Sequence, residues 1–167
     1  FNSWSPSSGR LLKTSFWHQR AHREIPPPMT AAVQTTWQDD RSTRIVAGWE
    51  QNTKRDGRWY HRGAWTDETI LYHLNNNEES SRARTAQALS NYSTTLGKHW
   101  FVKSGVQAWW QQARADGYSD SLVWVEQWRL AMFGSLEYQS NGWTVSTQIR
   151  KEWLTTTPNT PVTWSVG

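Results

Sequence analysis

The chain has 167 residues, a formal net charge of +4, no cysteine and 14 Trp, with a mean hydropathy of -0.83. That length fits one domain, or one domain with arms, able to bury about two-thirds of its unfolded surface. Without cysteine there are no disulfides, no thiolate chemistry and no Cys-based zinc site; no apolar run reaches signal-peptide or membrane-helix length, so no transmembrane segment is expected.

Aliphatic residues are scarce, and the Trp supply suggests a core packed from rings, each burying roughly 150–250 Å². Cations come mainly from 13 Arg against 5 Lys. Arg stacks on aromatics and forks onto carboxylates or phosphates. A charge of +4 is a weak field for the length, which makes nucleic acid a minor reading. The chain opens on Phe1, which suggests a processed terminus and leaves a secreted or extracellular assembly open.

Residues 1–36 read as an extended Ser/Pro-rich arm, from "SWSPSSGR" to "IPPPM". Residues 37–157 read as a β-rich globular domain, and 158–167 as a C-terminal tail or edge strand. In the domain, "STRIVAGWE" alternates weakly. "GRWYHRGAW" and "TILYHL" flank "TDE" as a candidate hairpin turning on Asp67, which would bring His61 opposite His73. The polar run "NNNEESSRARTAQALSNY" has a candidate cap at Asn77 or Ser80 and suggests a short helix near 79–92. At its end, Asn91-Tyr92-Ser93 is the single N-glycosylation triplet. "HWFVKSG" reads as a strand, and "SGVQAWWQQARADG" as a helix with Ser104 as cap and Gly117 as stop. For 121–133, strand is preferred over helix. Asn141-Gly142 is the strongest hairpin signal in the chain. It sets Tyr138 opposite Val145, Leu136 opposite Thr147, Gly134 opposite Ile149, Met132 opposite Lys151 and Leu130 opposite Trp153. The expected fold class is therefore α+β and β-rich, an antiparallel sheet or barrel with one or two short helices and an extended N-terminal arm.

Chemistry-bearing constellations are few. His18, His22 and Glu24 lie in the arm as exposed side chains. His61 and His73 would form half of a metal site, lacking further ligands. Asp39-Asp40, Asp67-Glu68 and Glu78-Glu79 are adjacent pairs, which point in opposite directions on an extended chain and cannot face each other as a glycosidase pair must. No nucleophile elbow and no phosphate loop is present. No catalytic residue and no cofactor is therefore assigned. The enriched feature is aromatic–arginine interleaving. Trp59, His61 and Trp65 share one face of their strand; Arg58, Tyr60 and Arg62 share the other, a combination used by platforms for single-stranded nucleic acid.

"TTWQDDRSTRIV", Thr35 to Val46, and "GRWY" resemble the G-x-W opening strand of lipocalin and avidin-type barrels. "HWFVKSGVQAWW" is similar to an avidin-type strand carrying a Trp at each end. The resemblance implies a Trp-lined barrel for a small apolar or carbohydrate ligand, with Trp100 and Trp109 in its cage.

The reading that best joins these features is a non-catalytic structural or interaction protein, a subunit of a homo-oligomer, shell or filament assembled through arms and sheet edges. The Trp-lined ligand barrel is the alternative, and nucleic-acid binding through Arg and rings is a third. The candidate ligand or partner surface is Arg58, Trp59, Tyr60, Arg62, Trp65, Trp100, Trp109 and Trp110.

Overall fold

The computed structural model describes residues 2–7, 9–26, 36–53, 56–74, 77–116, 123–156 and 160–167. Of the described residues 87% are in strands and none is in a helix. The strands are β1 (Asn2–Ser7), β2 (Arg10–Glu24), β3 (Thr36–Asn52), β4 (Gly57–Leu74), β5 (Asn77–Leu96), β6 (Trp100–Ala115), β7 (Val125–Ser140), β8 (Trp143–Leu154) and β9 (Val162–Val166). They form one antiparallel sheet in which each strand pairs only with its neighbours in sequence, β1 and β9 being the edges.

The α+β expectation is thus corrected to all-β. The helix expected near 79–92 lies inside β5, and the one starting at Ser104 lies inside β6. Gly117, its expected stop, lies outside the described residues, as do residues 121–122 and most of the proline run. Ala, Gln and Arg favour helices only weakly, and that preference yields to tertiary context. Here β5 is paired along nearly its whole length by β4 on one side and β6 on the other. The hairpin turning on Asp67 is also corrected. Residues 57–74 form one continuous strand, and Asp67 sits inside it, opposite Thr43 and Arg84. His61 and His73 therefore stand on the same strand, twelve positions and about 40 Å apart at about 3.3 Å per residue.

The Asn141-Gly142 hairpin is as the sequence predicts. Both residues have positive φ, 47° and 82°, and all five expected pairs from Tyr138–Val145 to Leu130–Trp153 occur in the β7–β8 ladder. Strand is likewise the observed state from Val125 onward. The Ser/Pro-rich start contributes β1 and β2 to the sheet, and β9 pairs with β8.

A single sheet has two faces and no layer beneath it. The expected core of packed Trp does not exist. Among the described residues, Ala131 is the only buried apolar residue, while Trp59 is 41% exposed and Trp143 77%. The accessible surface is 12426 Å², against about 8,500 Å² for a folded soluble monomer of this 19.5 kDa mass. Large apolar side chains stand in the open.

Register sorts the side chains into two sets. Residues directly opposite share a face, and neighbours along a strand alternate. One face carries Leu12 and Phe16, Ile45 and Trp49, Trp59 and Trp65, Val106 and Trp110, Leu130 and Met132, Val145 and Ile149. The other carries Lys13, Glu50, Arg58, Arg62, Gln87, Asn91, Lys103, Gln107, Arg129 and Arg150. Connections differ between the two ends of the sheet. At one end they span residues 8–9, 53–56, 97–99 and 141–142; at the other, 25–35, 116–124 and 155–161, with 75–76 the short exception.

Gly105 marks a close approach on the polar face. A Cβ there would lie 2.6 Å from the Ser90 carbonyl oxygen and 2.7 Å from Phe133 Cζ. The Phe133 ring covers the gap that the glycine leaves. Gly105→Val is expected to destabilise the sheet by about 1–3 kcal/mol through overpacking, read as a lower denaturant midpoint. Gly134→Ala, where the nearest atom is 3.7 Å away, should change it far less.

Candidate functional site

On the apolar face, aromatic residues bound the same length of strand three times. Trp100 and Trp110 on β6, Trp128 and Tyr138 on β7, and Trp143 and Trp153 on β8 each stand ten positions apart. Between the two aromatics on β6 and on β7, this face holds no charged side chain. On β8 it holds only Lys151, whose ammonium donates to the Thr160 carbonyl oxygen towards the strand end. Ten positions span about 33 Å of strand. At the tilt of roughly 40° usual in barrels, that is a depth of about 25 Å, the height of an apolar transmembrane band.

The rings form two rows. At the long-loop end Trp65 stacks on Trp110 at 5.7 Å between centroids, and Trp110 lies 6.3 Å from Trp128. Glu126 Oε1 ties the last two together, accepting from both indole Nε1 groups at 2.7 Å. At the short-turn end Trp59 meets Tyr92 at 4.9 Å and Trp100 meets Tyr138 at 4.8 Å. This second row descends through the register. Trp49 on β3 lies in line with Lys151 on β8, eight positions from Trp143. That is about 26 Å of strand over five interstrand steps of about 4.8 Å. A level row of rings therefore requires strands tilted by about 45°, the tilt of transmembrane strands.

The polar face is richer in cations. Lys13, Arg44, Arg58, Arg62, Lys103, Arg129 and Arg150 share it with Glu50, Glu137 and Glu152, and with Asp40 and Glu68 further along β3 and β4. Glu50 is shared by Arg58 and by Lys13 at 3.4 Å, and Glu152 pairs with Arg150 at 2.7 Å. Arg150 also donates to Gln107 at 2.9 Å. Trp109 is the aromatic centre of this face, with the Arg129 and Arg150 guanidinium carbons 5.5 and 5.8 Å from its ring. Arg44, Arg62, Lys103 and Arg129 have no acidic partner within 4 Å among the described residues.

Beyond the upper rings the strands carry polar pairs. Asp39 accepts from His22 at 2.6 Å, and Asp67 takes both Arg82 donors at 2.9 and 2.6 Å. At the strand end Asp116 accepts from the Ser80 hydroxyl at 2.5 Å, which holds its carboxyl below the ordinary 3.8.

The eight residues picked as one candidate surface are divided between the faces. Trp59, Trp65, Trp100 and Trp110 lie on the apolar face; Arg58, Tyr60, Arg62 and Trp109 lie on the polar one. His61 stacks on Trp59 at 5.7 Å, and His73 on Trp37 at 3.4 Å with Glu78 3.4 Å from its Nε2. His18 sits 2.9 Å from the Thr43 hydroxyl. Among the described residues no group of three His, Asp or Glu could hold a metal ion. The alternation that locates Arg44, Arg129, Arg150 and Glu126 is present in the sequence, but only the register shows which face each belongs to.

No protein-family model and no curated protein matches this sequence. Solved structures do match in fold. The Serratia marcescens hemophore receptor HasR, solved with its hemophore HasA and heme, aligns with a TM-score of 0.74 at 14% identity over 91% of this chain and 23% of its own. The ferric citrate transporter FecA, unliganded, aligns with 0.74 at 10% identity, covering 99% and 31%. The RagAB peptide transporter aligns with 0.70 at 9% identity, covering 97% and 28%. This chain thus spans between about a quarter and a third of the length of these proteins, and at such identities the likeness is one of fold.

That likeness, to membrane β-barrels, overturns two expectations. The reading as a soluble structural subunit assembling through arms into a homo-oligomer, shell or filament is corrected, and the ligand-cage and nucleic-acid alternatives fall with it. So does the absence of a transmembrane segment. No helix among the described residues is long and apolar enough to cross a membrane, but strands cross by alternation and need no apolar run.

The Glu126 bridge yields a test. Glu126→Ala should cost about 1 kcal/mol, from two hydrogen bonds worth roughly 0.5–1.5 kcal/mol each and discounted for exposure. Its effect should shrink when Trp110 and Trp128 are both already Phe. Denaturant midpoints of the four proteins in one detergent would read the coupling.

Proposed function

We propose that this chain forms part of the wall of a transmembrane β-barrel that handles anionic solutes. The apolar face meets lipid, the basic face lines the lumen, and the longer connections lie on the outer side. One observation carries the reading: over one length of strand bounded by aromatic pairs, charge is confined almost entirely to one face. Lipid supplies no partner for a bare polar group, so such sorting follows when one face meets hydrocarbon and the other water. The large exposed surface is explained by the same arrangement.

Nine antiparallel strands leave β1 and β9 running the same way, so joining them directly would make a parallel seam. An antiparallel closure takes an odd number of further strands. Within the wall, Trp59, Trp65, Trp100 and Trp110 anchor the barrel at its two interfaces. Arg58, Tyr60, Arg62 and Trp109 face the solute path. The unpaired cations there favour an anion or a metal chelate of net negative charge. The ferric citrate of the FecA neighbour is a solute of that kind, and the names of the HasR and RagAB neighbours likewise describe a receptor and a transporter.

Flotation with liposomes that resists extraction by alkaline carbonate is the expected behaviour of the full chain. A protein that stays monodisperse in water without detergent, and does not float, would contradict the proposal. In planar bilayers any conductance should be anion-selective, and Arg62→Glu with Arg129→Glu should move the reversal potential towards cations. An unchanged potential would count against the lumenal role of this face.

A further inference from the structure

Four arginines stand in one line across five adjacent strands. Arg20 on β2 lies directly opposite Arg41 on β3. Arg41 lies opposite Thr69 on β4, Thr69 opposite Arg82 on β5, and Arg82 opposite Arg114 on β6. All belong to the apolar face. Each stands four positions beyond the row of Phe16, Ile45, Trp65, Ala86 and Trp110. Because the strands tilt by about 45°, directly opposite residues do not share one depth: the line slopes from Arg114, about 9 Å beyond Trp110, to Arg41 near the level of that ring and Arg20 below it.

Like charges directly opposite on a sheet repel, and the protein supplies little to offset this line. Asp67 is occupied by Arg82 and stands 3.4 Å from Arg84; Asp39 is 3.5 Å from Arg20 and already holds His22. Arg41 is exposed, and neither it nor Arg114 has an acidic side chain within 4 Å among the described residues. The guanidinium carbons of Arg84 and Arg114 stand 5.4 and 5.2 Å from the Trp124 ring. A row of guanidiniums that slopes through the interface on the lipid-facing side, with Arg41 and Arg114 lacking an acidic partner within 4 Å among the described residues, is complementary to phosphate.

We propose that this arginine line binds the phosphate groups of anionic lipid headgroups in the leaflet on the long-loop side. The inference rests on the membrane-barrel reading. It adds that the chain selects its lipids at one place, where a lipid phosphate supplies the anion that the sheet lacks.

The test uses the full chain and its Arg41→Gln/Arg114→Gln variant, reconstituted in phosphatidylcholine vesicles with or without phosphatidylglycerol. Lipids retained on the protein are counted by native mass spectrometry. An arginine near an anionic surface contributes about fivefold in affinity, so losing two should weaken phosphatidylglycerol retention about 25-fold at low salt. The matched lumenal variant Arg44→Gln/Arg62→Gln should leave retention unchanged. Thermal stability should cross over: in phosphatidylcholine alone the Arg41/Arg114 variant should be at least as stable as the parent, because repulsion is relieved, and in phosphatidylglycerol it should be less stable. Equal retention by parent and variant would overturn the site. So would full displacement of the lipid by millimolar inorganic pyrophosphate, which would mark a soluble polyanion as the ligand. Failure to enter vesicles at all would instead overturn the membrane reading beneath it.

Discussion

The backbone of this chain satisfies its hydrogen bonds sideways, strand to strand, and everything else depends on that. A helix closes its bonds within one segment, whereas a strand must find both neighbours. Of the long strands of 12 to 20 residues from β2 to β8, β3 to β7 are paired along most of their length on both sides, and β2 and β8 are so paired on their inner side. Such a ladder can stand where no water is available, provided that its edges are closed. Because the sheet has no second layer, stability cannot come from an interior. It must come from what each face touches, and the two faces are built for different surroundings.

The difference is a matter of which side chains can lose water. Between Trp100 and Trp110, or between Trp128 and Tyr138, one face offers Val, Ala, Leu, Met, Ser and Gly. The other offers Lys103, Gln107, Arg129 and Glu137 across the same length. An unpaired cation in hydrocarbon costs several kcal/mol, while in a water-filled lumen it keeps its hydration and repels its own kind. In the proposed barrel, the aromatic rings stand where the two regimes meet. The bridge from Glu126 to two indoles puts a carboxylate where polar partners are within reach, just beyond the band.

Some of this was legible in the sequence. Asn141-Gly142 requires positive φ at two successive positions, and few folds other than a tight hairpin meet that demand, so its register could be derived residue by residue. The partition of Trp59, His61 and Trp65 from Arg58, Tyr60 and Arg62 followed from strand parity alone. Parity could not say which face was dry. Assuming a soluble domain turned the Trp supply into a packed core, when Trp59 is 41% exposed and Trp65 only partly buried at the edges of an apolar band. β5 and the second half of β6 were missed for a different reason, while "HWFVKSG" was rightly read as the strand that opens β6. "RARTAQALS" and "VQAWWQQARA" are good helix formers, and the neighbours that hold them extended lie fifteen or more positions away at most rungs. The period of two was present in both, masked by Ala, Gln and Ser, which are tolerated on either face. Transmembrane strands signal themselves weakly one at a time; the tenfold spacing of aromatics on β6, β7 and β8 becomes visible only once the register lines them up.

Because the chain contains no cysteine, single cysteines placed one at a time from position 101 to position 109 on β6, the closely packed Gly105 excepted, would distinguish the two faces directly. The protein would be held in lipid bilayers and exposed to a charged, water-soluble thiol reagent. Labelling at odd positions, which share a face with Lys103 and Gln107, and protection at even positions, which share a face with Val102 and Val106, is the predicted result. Equal labelling at all positions, or protection of the odd set, would contradict a sheet with lipid on one side and water on the other.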